Sequence, residues 1–288
     1  MRYKYYYCRY INPKLIEFLD TKQIQYKISG KCGMVDGVYF TPLVSFSLYS
    51  SSPETIELID CLANMDIKDP ITTIEFTQSE INHADLLVMR PKRQKIEIIN
   101  VDTAFVYSCT RVSGFGITRA RHEYQVGELA IAKEPPMNTN TALWSSDTGF
   151  SEIYADKRVY DLVNMNTLCG IKFEKVFLKN GVYSDKLYQL KTENLISREM
   201  IDEGHGEKIL KCPICGKEQL YIDTSYQLYL KDFKTISPSD FYITDSIFGD
   251  GRPEPIYIIS QRFYQLLKKN NLSKNVNFSP VIDASKVY

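Results

Sequence analysis

One stretch of this chain occurs twice. Ile153-Tyr154-Ala155-Asp156-Lys157-Arg158-Val159-Tyr160-Asp161-Leu162-Val163 reads against Ile256-Tyr257-Ile258-Ile259-Ser260-Gln261-Arg262-Phe263-Tyr264-Gln265-Leu266-Leu267. Both copies run Ile-Tyr, a capping residue, then Arg-apolar-Tyr-polar-apolar-apolar. Both continue through an Asn (Asn166, Asn270) and a Leu (Leu168, Leu272), then enter a short alternating run ending near Val176 and Val281. The match needs one inserted residue on each side of the helix, so it is weak duplication and not a tandem array. Each copy specifies an amphipathic helix. Asp156 and Ser260 are good N-caps. Phe263, Leu266 and Leu267 fall at i, i+3 and i+4, and Val159, Leu162 and Val163 take the same register. Lys268 and Lys269 stand in the last turn, where cations suit the helix dipole. The competing reading is a chance likeness between two common helices. The shared Ile-Tyr ahead and Phe-bearing strand behind weigh against it. The expected fold is α+β in two related halves, each a mostly antiparallel sheet with a packed amphipathic helix, divided as residues 1–180 and 181–288.

The remaining segments read mainly as strands, among them Tyr3–Tyr10, Ile71–Phe76, Leu86–Met89, Ile96–Val101 and Phe105–Cys109. Asn12-Pro13 starts a short helix, because Asn caps and Pro suits the first helical position. Asn180-Gly181 is a strong turn signal between extended segments. Ser237 to Pro255, with its Pro, Ser, Asp and Gly, reads as a long loop.

Composition narrows the function classes. Of 288 residues, 44% are hydrophobic and 24% charged, as in an ordinary globular protein. No apolar run reaches the ~18 residues of a membrane span, and the N-terminus reads as a strand without a signal core. The expected compartment is the cytoplasm. Seven cysteines, an odd and scattered set, suit reduced thiols better than a disulfide framework. A net charge of zero argues against nucleic acid as a partner. The short basic cluster Arg90–Lys95 reads as a solvated loop.

The unduplicated Cys212-Pro213-Ile214-Cys215-Gly216 is the chief chemical motif. Cys-x-x-Cys-Gly lets two thiolates of one tight turn face a single metal, with Gly tolerating the backbone this requires. Zinc needs four ligands, and no second CxxC exists. Ser29-Gly30-Lys31-Cys32-Gly33 has the same spacing with Ser at the first position, which adds Cys32 as a third thiolate. His205 or Cys8 would complete a tetrahedron. A zinc site of Cys212, Cys215, Cys32 and His205 is one reading, and an empty relict knuckle is the other. His83 and His122 stand alone, and His83 reads as a helix-end or surface residue. No Walker loop, G-x-S-x-G, H-E-x-x-H or kinase motif occurs, so no enzyme is expected.

The order of a first knuckle, a helix-strand unit, a Cys-Pro-x-Cys-Gly knuckle and a second helix-strand unit ending in Phe278-Ser279-Pro280-Val281 resembles the double-CxxCG family of bacterial proteins. Lys211 to Lys217, Ile258 to Phe263 and Val276 to Val281 carry the likeness. Ser29 stands where the family pattern has its first Cys, so the first knuckle supplies one thiolate, Cys32, in place of two. The resemblance implies immunity against a contact-delivered toxin by binding, without catalysis. From Glu218 to Ile258, seven acidic residues stand against three basic ones with eight aromatics between them. Aromatic anchors in an acidic field suit a basic protein partner, and Tyr242, Asp245, Phe248 and Asp250 are the expected contacts. A sheet with a solvated acidic edge explains the same composition. A metal-assisted hydrolase using His205 and a zinc-ribbon nucleic-acid module are the alternative functions.

Overall fold

The computed structural model describes residues 2–7, 12–29, 33–35, 38–40, 43–46, 48, 53–63, 71–94, 96–107, 113–114, 117–118, 123–137, 141–146, 152–202, 207–211, 218–222, 228–248 and 254–286. Helices and several sheets are both present, an α+β architecture. The chain forms two compact units, Met1–Glu80 and Ile81–Tyr288.

The first unit holds β1 (Arg2–Tyr7), α1 (Pro13–Thr21), β2 (Tyr26–Ser29), β3 (Leu43–Phe46), α2 (Pro53–Ala63) and β4 (Ile71–Glu75). Its sheet order is β2-β3-β1-β4, with all neighbours antiparallel. This is a split β-α-β: α1 joins two parallel strands, and an antiparallel strand lies between them. Helix α1 starts where Asn12 accepts the Lys14 amide at 3.0 Å. Its Leu15 and Leu19 are buried with Val44, Phe46 and Leu58 in the core of this unit.

The second unit holds β5 (Leu86–Pro91), β6 (Arg93–Gln94), β7 (Ala130–Ile131), β8 (Leu143–Ser146), β9 (Ile153–Asp156), α3 (Lys157–Met165), β10 (Lys172–Leu178), β11 (Tyr183–Lys191), β12 (Glu207–Lys211), β13 (Glu218–Ile222), β14 (Phe241–Phe248), β15 (Glu254–Ser260), α4 (Gln261–Lys269) and β16 (Val276–Pro280). Two sheets result, in the orders β7-β10-β11-β9-β8-β6 and β12-β13-β14-β15-β5-β16. Each contains the same split β-α-β. Helix α3 joins β9 to β10 with antiparallel β11 between them. Helix α4 joins β15 to β16 with antiparallel β5 between them. The outer flank is β8 in one case and β14 in the other, again antiparallel. In the last copy the middle strand, β5, is drawn from far upstream in the chain.

The duplicated sequence thus corresponds to a shared wiring, and that wiring occurs three times. Aligned on their N-caps Asn12, Asp156 and Ser260, the three nine-residue helices match without a gap. Leu15, Val159 and Phe263 coincide and are buried, as do Leu19, Val163 and Leu267. All three end alike. Gln23, Thr167 and Asn271 take left-handed φ values of 54°, 49° and 57°. Behind them the amides of Ile24, Leu168 and Leu272 bond back to Leu19, Val163 and Leu267 at 2.9, 3.2 and 2.8 Å. This is the Schellman closure, which satisfies carbonyls a helix end leaves open.

Alternation along the strands builds three layers of core in the second unit. Leu87 and Met89 of β5, Phe241, Ile259, Ile153, Ala155 and Leu190 face a central core that also takes the stripes of α3 and α4. Leu86, Val88, Tyr242, Ile256 and Ile258 face the other way, onto Ile196, Ile201, Leu228 and Leu230. Trp144, Tyr154, Val176 and Leu187 pack on Ile96, Ile98, Phe105 and Leu129.

Two expectations are corrected here. The division at residue 180 falls in the β10–β11 turn, and β11 pairs with both β9 and β10, so a boundary there would cut a sheet in two. Residues 237–255 are not one loop. Phe241–Phe248 is a strand paired with β15, because Phe241 and Tyr242 bury in cores on opposite faces of the sheet.

Candidate functional site

Tyr242, expected at a partner interface, is core. It is 4% exposed, its hydroxyl donates to the Ser237 carbonyl at 2.9 Å, and it accepts the Ser239 amide at 2.7 Å. Burial pushes its hydroxyl pKa up. Phe241 and Tyr229, from the same acidic-aromatic stretch, are also buried. A strand with cores on both faces turns its aromatics inward, which leaves them unavailable as anchors for a partner. Asp245 is exposed, inside the register shift between Ile243 and Ile247. Phe248 lies in β14 with its side chain outside the described residues. Asp250, Cys212, Cys215, Cys32, Cys8, His205 and His122 also lie outside them. The strands that flank the Cys212–Gly216 segment pair antiparallel, with Lys211 opposite Glu218. His83 ends the helix Gln78–His83. Among the described residues, no helix is long and apolar enough to cross a membrane.

One surface brings exposed aromatic and aliphatic groups together on a rigid support. The β10–β11 hairpin closes at Asn180-Gly181. The Leu178 amide bonds to the Val182 carbonyl at 2.9 Å, and Gly181 takes φ +78°, a conformation glycine adopts at little cost. Phe177 and Tyr183 are directly paired across the strands. Their rings stack at 4.0 Å between centroids, and Lys175 Nζ sits 5.5 Å from the Tyr183 ring centre. The Tyr183 hydroxyl donates to Glu128 Oε1 at 3.1 Å. Desolvation, then the Glu128 carboxylate, raises its pKa. Val182 is 58% exposed and Tyr183 39%. A fixed aromatic with an open face is what an interface anchor requires: large area and little rotamer entropy left to lose on binding. The turn was legible in Asn180-Gly181. The aromatic pair across it was not, because pairing needs the register.

A second convergence is architectural. The Asp240 carboxylate accepts the Cys169 amide at 2.9 Å and the Ser260 hydroxyl at 2.6 Å, and lies 3.6 Å from Arg262 Nη1. Arg262 also donates to the Asn166 carbonyl. The end of α3 and the start of α4 are thereby tied to one buried carboxylate. The exposed Cys169 thiol lies 3.5 Å from the same oxygen that accepts its amide.

No protein-family model matches this chain, and a search of curated proteins finds no match.

Proposed function

We propose that this chain is a cytoplasmic immunity protein that neutralises a bacterial toxin by binding it stoichiometrically, without catalysis. The likeness of Lys211–Lys217 and the closing strand to the double-CxxCG family supports the class of activity. The observation that carries the binding mode is the Phe177–Tyr183 stack held by Glu128 beside exposed Val182. In this reading the hairpin is the anchor of the toxin interface, in place of the buried Tyr242. The zinc knuckle of Cys212 and Cys215 remains part of the proposal as a structural clip, and elemental analysis of the purified protein decides its occupancy.

The test is co-purification of the tagged full chain with any protein toxin encoded beside its gene, followed by light scattering for stoichiometry and calorimetry for affinity. A one-to-one complex is expected, weakened about thirtyfold by Tyr183→Ala combined with Val182→Ser. Multiple turnover of a substrate by the purified chain would refute the binding-only reading. Unchanged affinity in the double variant would move the interface away from the hairpin.

A further inference from the structure

The ring pairs Tyr160–Phe173 and Tyr264–Phe278 are one contact made in two copies of the split β-α-β. Their centroids lie 5.0 and 4.9 Å apart, and their planes cross at 68° and 69°. Each tyrosine stands on the first turn after its N-cap, Asp156 or Ser260. Each phenylalanine stands on the strand that follows the helix, β10 or β16. Register completes the match on the middle strands. Leu190 lies opposite Phe173 as Met89 lies opposite Phe278, and Tyr188 faces Lys175 as Leu87 faces Pro280.

The two contacts differ in what lies over them. Tyr264 is 3% exposed and Leu87 fully buried, whereas Tyr160 and Tyr188 are only part-buried. The cause is the route of the chain. Strand β5 enters its sheet from upstream, and the residues just ahead of it lie on α4. Ile81 and Ala84 pack on the core that holds Tyr264 and Leu87. Asn82 Oδ1 accepts the Tyr264 hydroxyl at 3.3 Å and Lys268 Nζ at 3.1 Å, and the Asn82 carbonyl accepts Gln261 Nε2 at 2.5 Å. Strand β11 instead enters straight from the Asn180-Gly181 turn, so no such segment precedes it. There Tyr188 stacks on Tyr160 at 4.7 Å, and nothing like Asn82 follows.

The donors that hold Asn82 have counterparts on α3. Counted from the N-caps, Lys157, Tyr160 and Asn164 take the places of Gln261, Tyr264 and Lys268. Lys157 and Asn164 are exposed. Lys157 Nζ donates to Asp161 at 2.8 Å in an exposed pair of the weak kind, and an ammonium keeps further donors. Met165, 76% exposed, extends the apolar surface with a side chain that adapts to varied partners. On the other flank Lys175 Nζ reaches over Tyr183, so the face runs on into the hairpin anchor.

We propose that this face docks one short helix of a protein partner, lying on α3 as Ile81–Asp85 lies on α4. The helix brings two small apolar side chains at i and i+3. Between them it brings an Asn whose side-chain and main-chain oxygens accept from Tyr160, Asn164 and Lys157. The mode is an amphipathic helix in a groove, with polar groups fixing its register. The inference goes beyond the toxin reading, since the face takes such a helix whatever the partner's activity.

The experiment is NMR titration of the isotope-labelled full chain with a lactam-bridged, alanine-rich helical peptide of about 15 residues that ends in Glu-Ile-Asn-His-Ala-Asp. Saturable binding at about 0.1–1 mM is expected, with shifts confined to Lys157, Tyr160, Asn164, Met165 and Tyr188. Changing the peptide's Asn to Ala, or the protein by Tyr160→Phe, should each weaken binding about fivefold. Circular dichroism melting confirms that the variant is folded. Shifts at Gln261 to Lys268 overturn the proposal, since the peptide would then only displace the resident segment. Equal affinity after either change overturns it, because the register-setting Asn would have no part. A dimer of the chain alone that Met165→Glu dissociates gives the face to a second copy and overturns it, as does no binding at millimolar peptide.

Discussion

Thr167 and Asn271 occupy the same backbone position, one residue past the C-caps of α3 and α4, with φ of 49° and 57°. Asn tolerates the left-handed region, whereas a β-branched residue there is strained. The Leu168 and Leu272 amides that close the two helices depend on this turn. Thr167→Gly should therefore stabilise the protein by about 0.5–1 kcal/mol, the relief of strain exceeding the added freedom of the unfolded chain. Asn271→Gly should give less. The urea midpoint of each variant, at an unchanged slope, measures it.

Gly170, three residues beyond Thr167, cannot be varied in the same way. It takes φ +77°, and a Cβ added there would collide with Ser239 Oγ and Asn194 Nδ2. Those two side chains bond to each other at 2.8 Å, and both reach the Phe241 carbonyl. Gly170→Ala should cost about 2–4 kcal/mol, from strain together with broken hydrogen bonds beside a buried strand. Asp240→Ala should cost about 3 kcal/mol, because the Cys169 amide and the Ser260 hydroxyl lose one shared acceptor. Denaturant melts of both variants check the pair of values, and a loss under 1 kcal/mol in either would show that the knot is slack.

The two later copies of the helix were legible because Arg158 and Arg262, Tyr160 and Tyr264, and Asn166 and Asn270 repeat as residue types. The copy at Asn12 was not. It has Lys14, Ile16 and Lys22 at those positions, and retains only the apolar register that any amphipathic helix shares. Strand order was beyond local reading too, since β5 completes a unit whose other strands lie far downstream. The stretch after Ser237 misled for a different reason. Pro238, Asp240 and Asp245 punctuate it like a loop, and a strand buried on both faces lacks the apolar-polar alternation that marks a half-exposed one. Tyr242 there reads as a partner contact, whereas it belongs to the core.

Tyr154 gives a prediction that depends on pH. It is fully buried, and its hydroxyl has no hydrogen-bond partner among the described residues. Burial first, then the charges of Glu152 and Tyr257, hold its pKa well above the ordinary value. The neutral form is therefore favoured in the folded state. The stability this lends is complete below about pH 10, where an unfolded tyrosine titrates, and is lost as pH rises beyond that value. Tyr154→Phe should flatten the decline in stability above pH 10. At pH 7 it should be neutral or stabilising by about 1 kcal/mol, because a buried hydroxyl without a partner costs desolvation and returns nothing. Melting temperatures of the two proteins between pH 7 and 11 decide it, and parallel curves would mean that Tyr154 does not set the alkaline limit.

The interface assignment separates two tyrosines. Tyr242 is buried in the β5–β14–β15 core with two hydrogen bonds, so Tyr242→Ala should destabilise by about 3–5 kcal/mol, as large-to-small changes at buried aromatics do. On the proposed function, any loss of partner binding in that variant should track the loss of folded protein. Tyr183 stands at an exposed hairpin, where its stack on Phe177 and its bond to Glu128 are open to water. Tyr183→Ala should change stability by less than about 1 kcal/mol yet weaken partner binding by about 2 kcal/mol, the typical cost of truncating an aromatic anchor. Calorimetric affinity measured beside a denaturant melt distinguishes the two on the same preparations. Full affinity in folded Tyr183→Ala protein, or reduced affinity in Tyr242→Ala protein corrected for its folded fraction, would reverse the assignment.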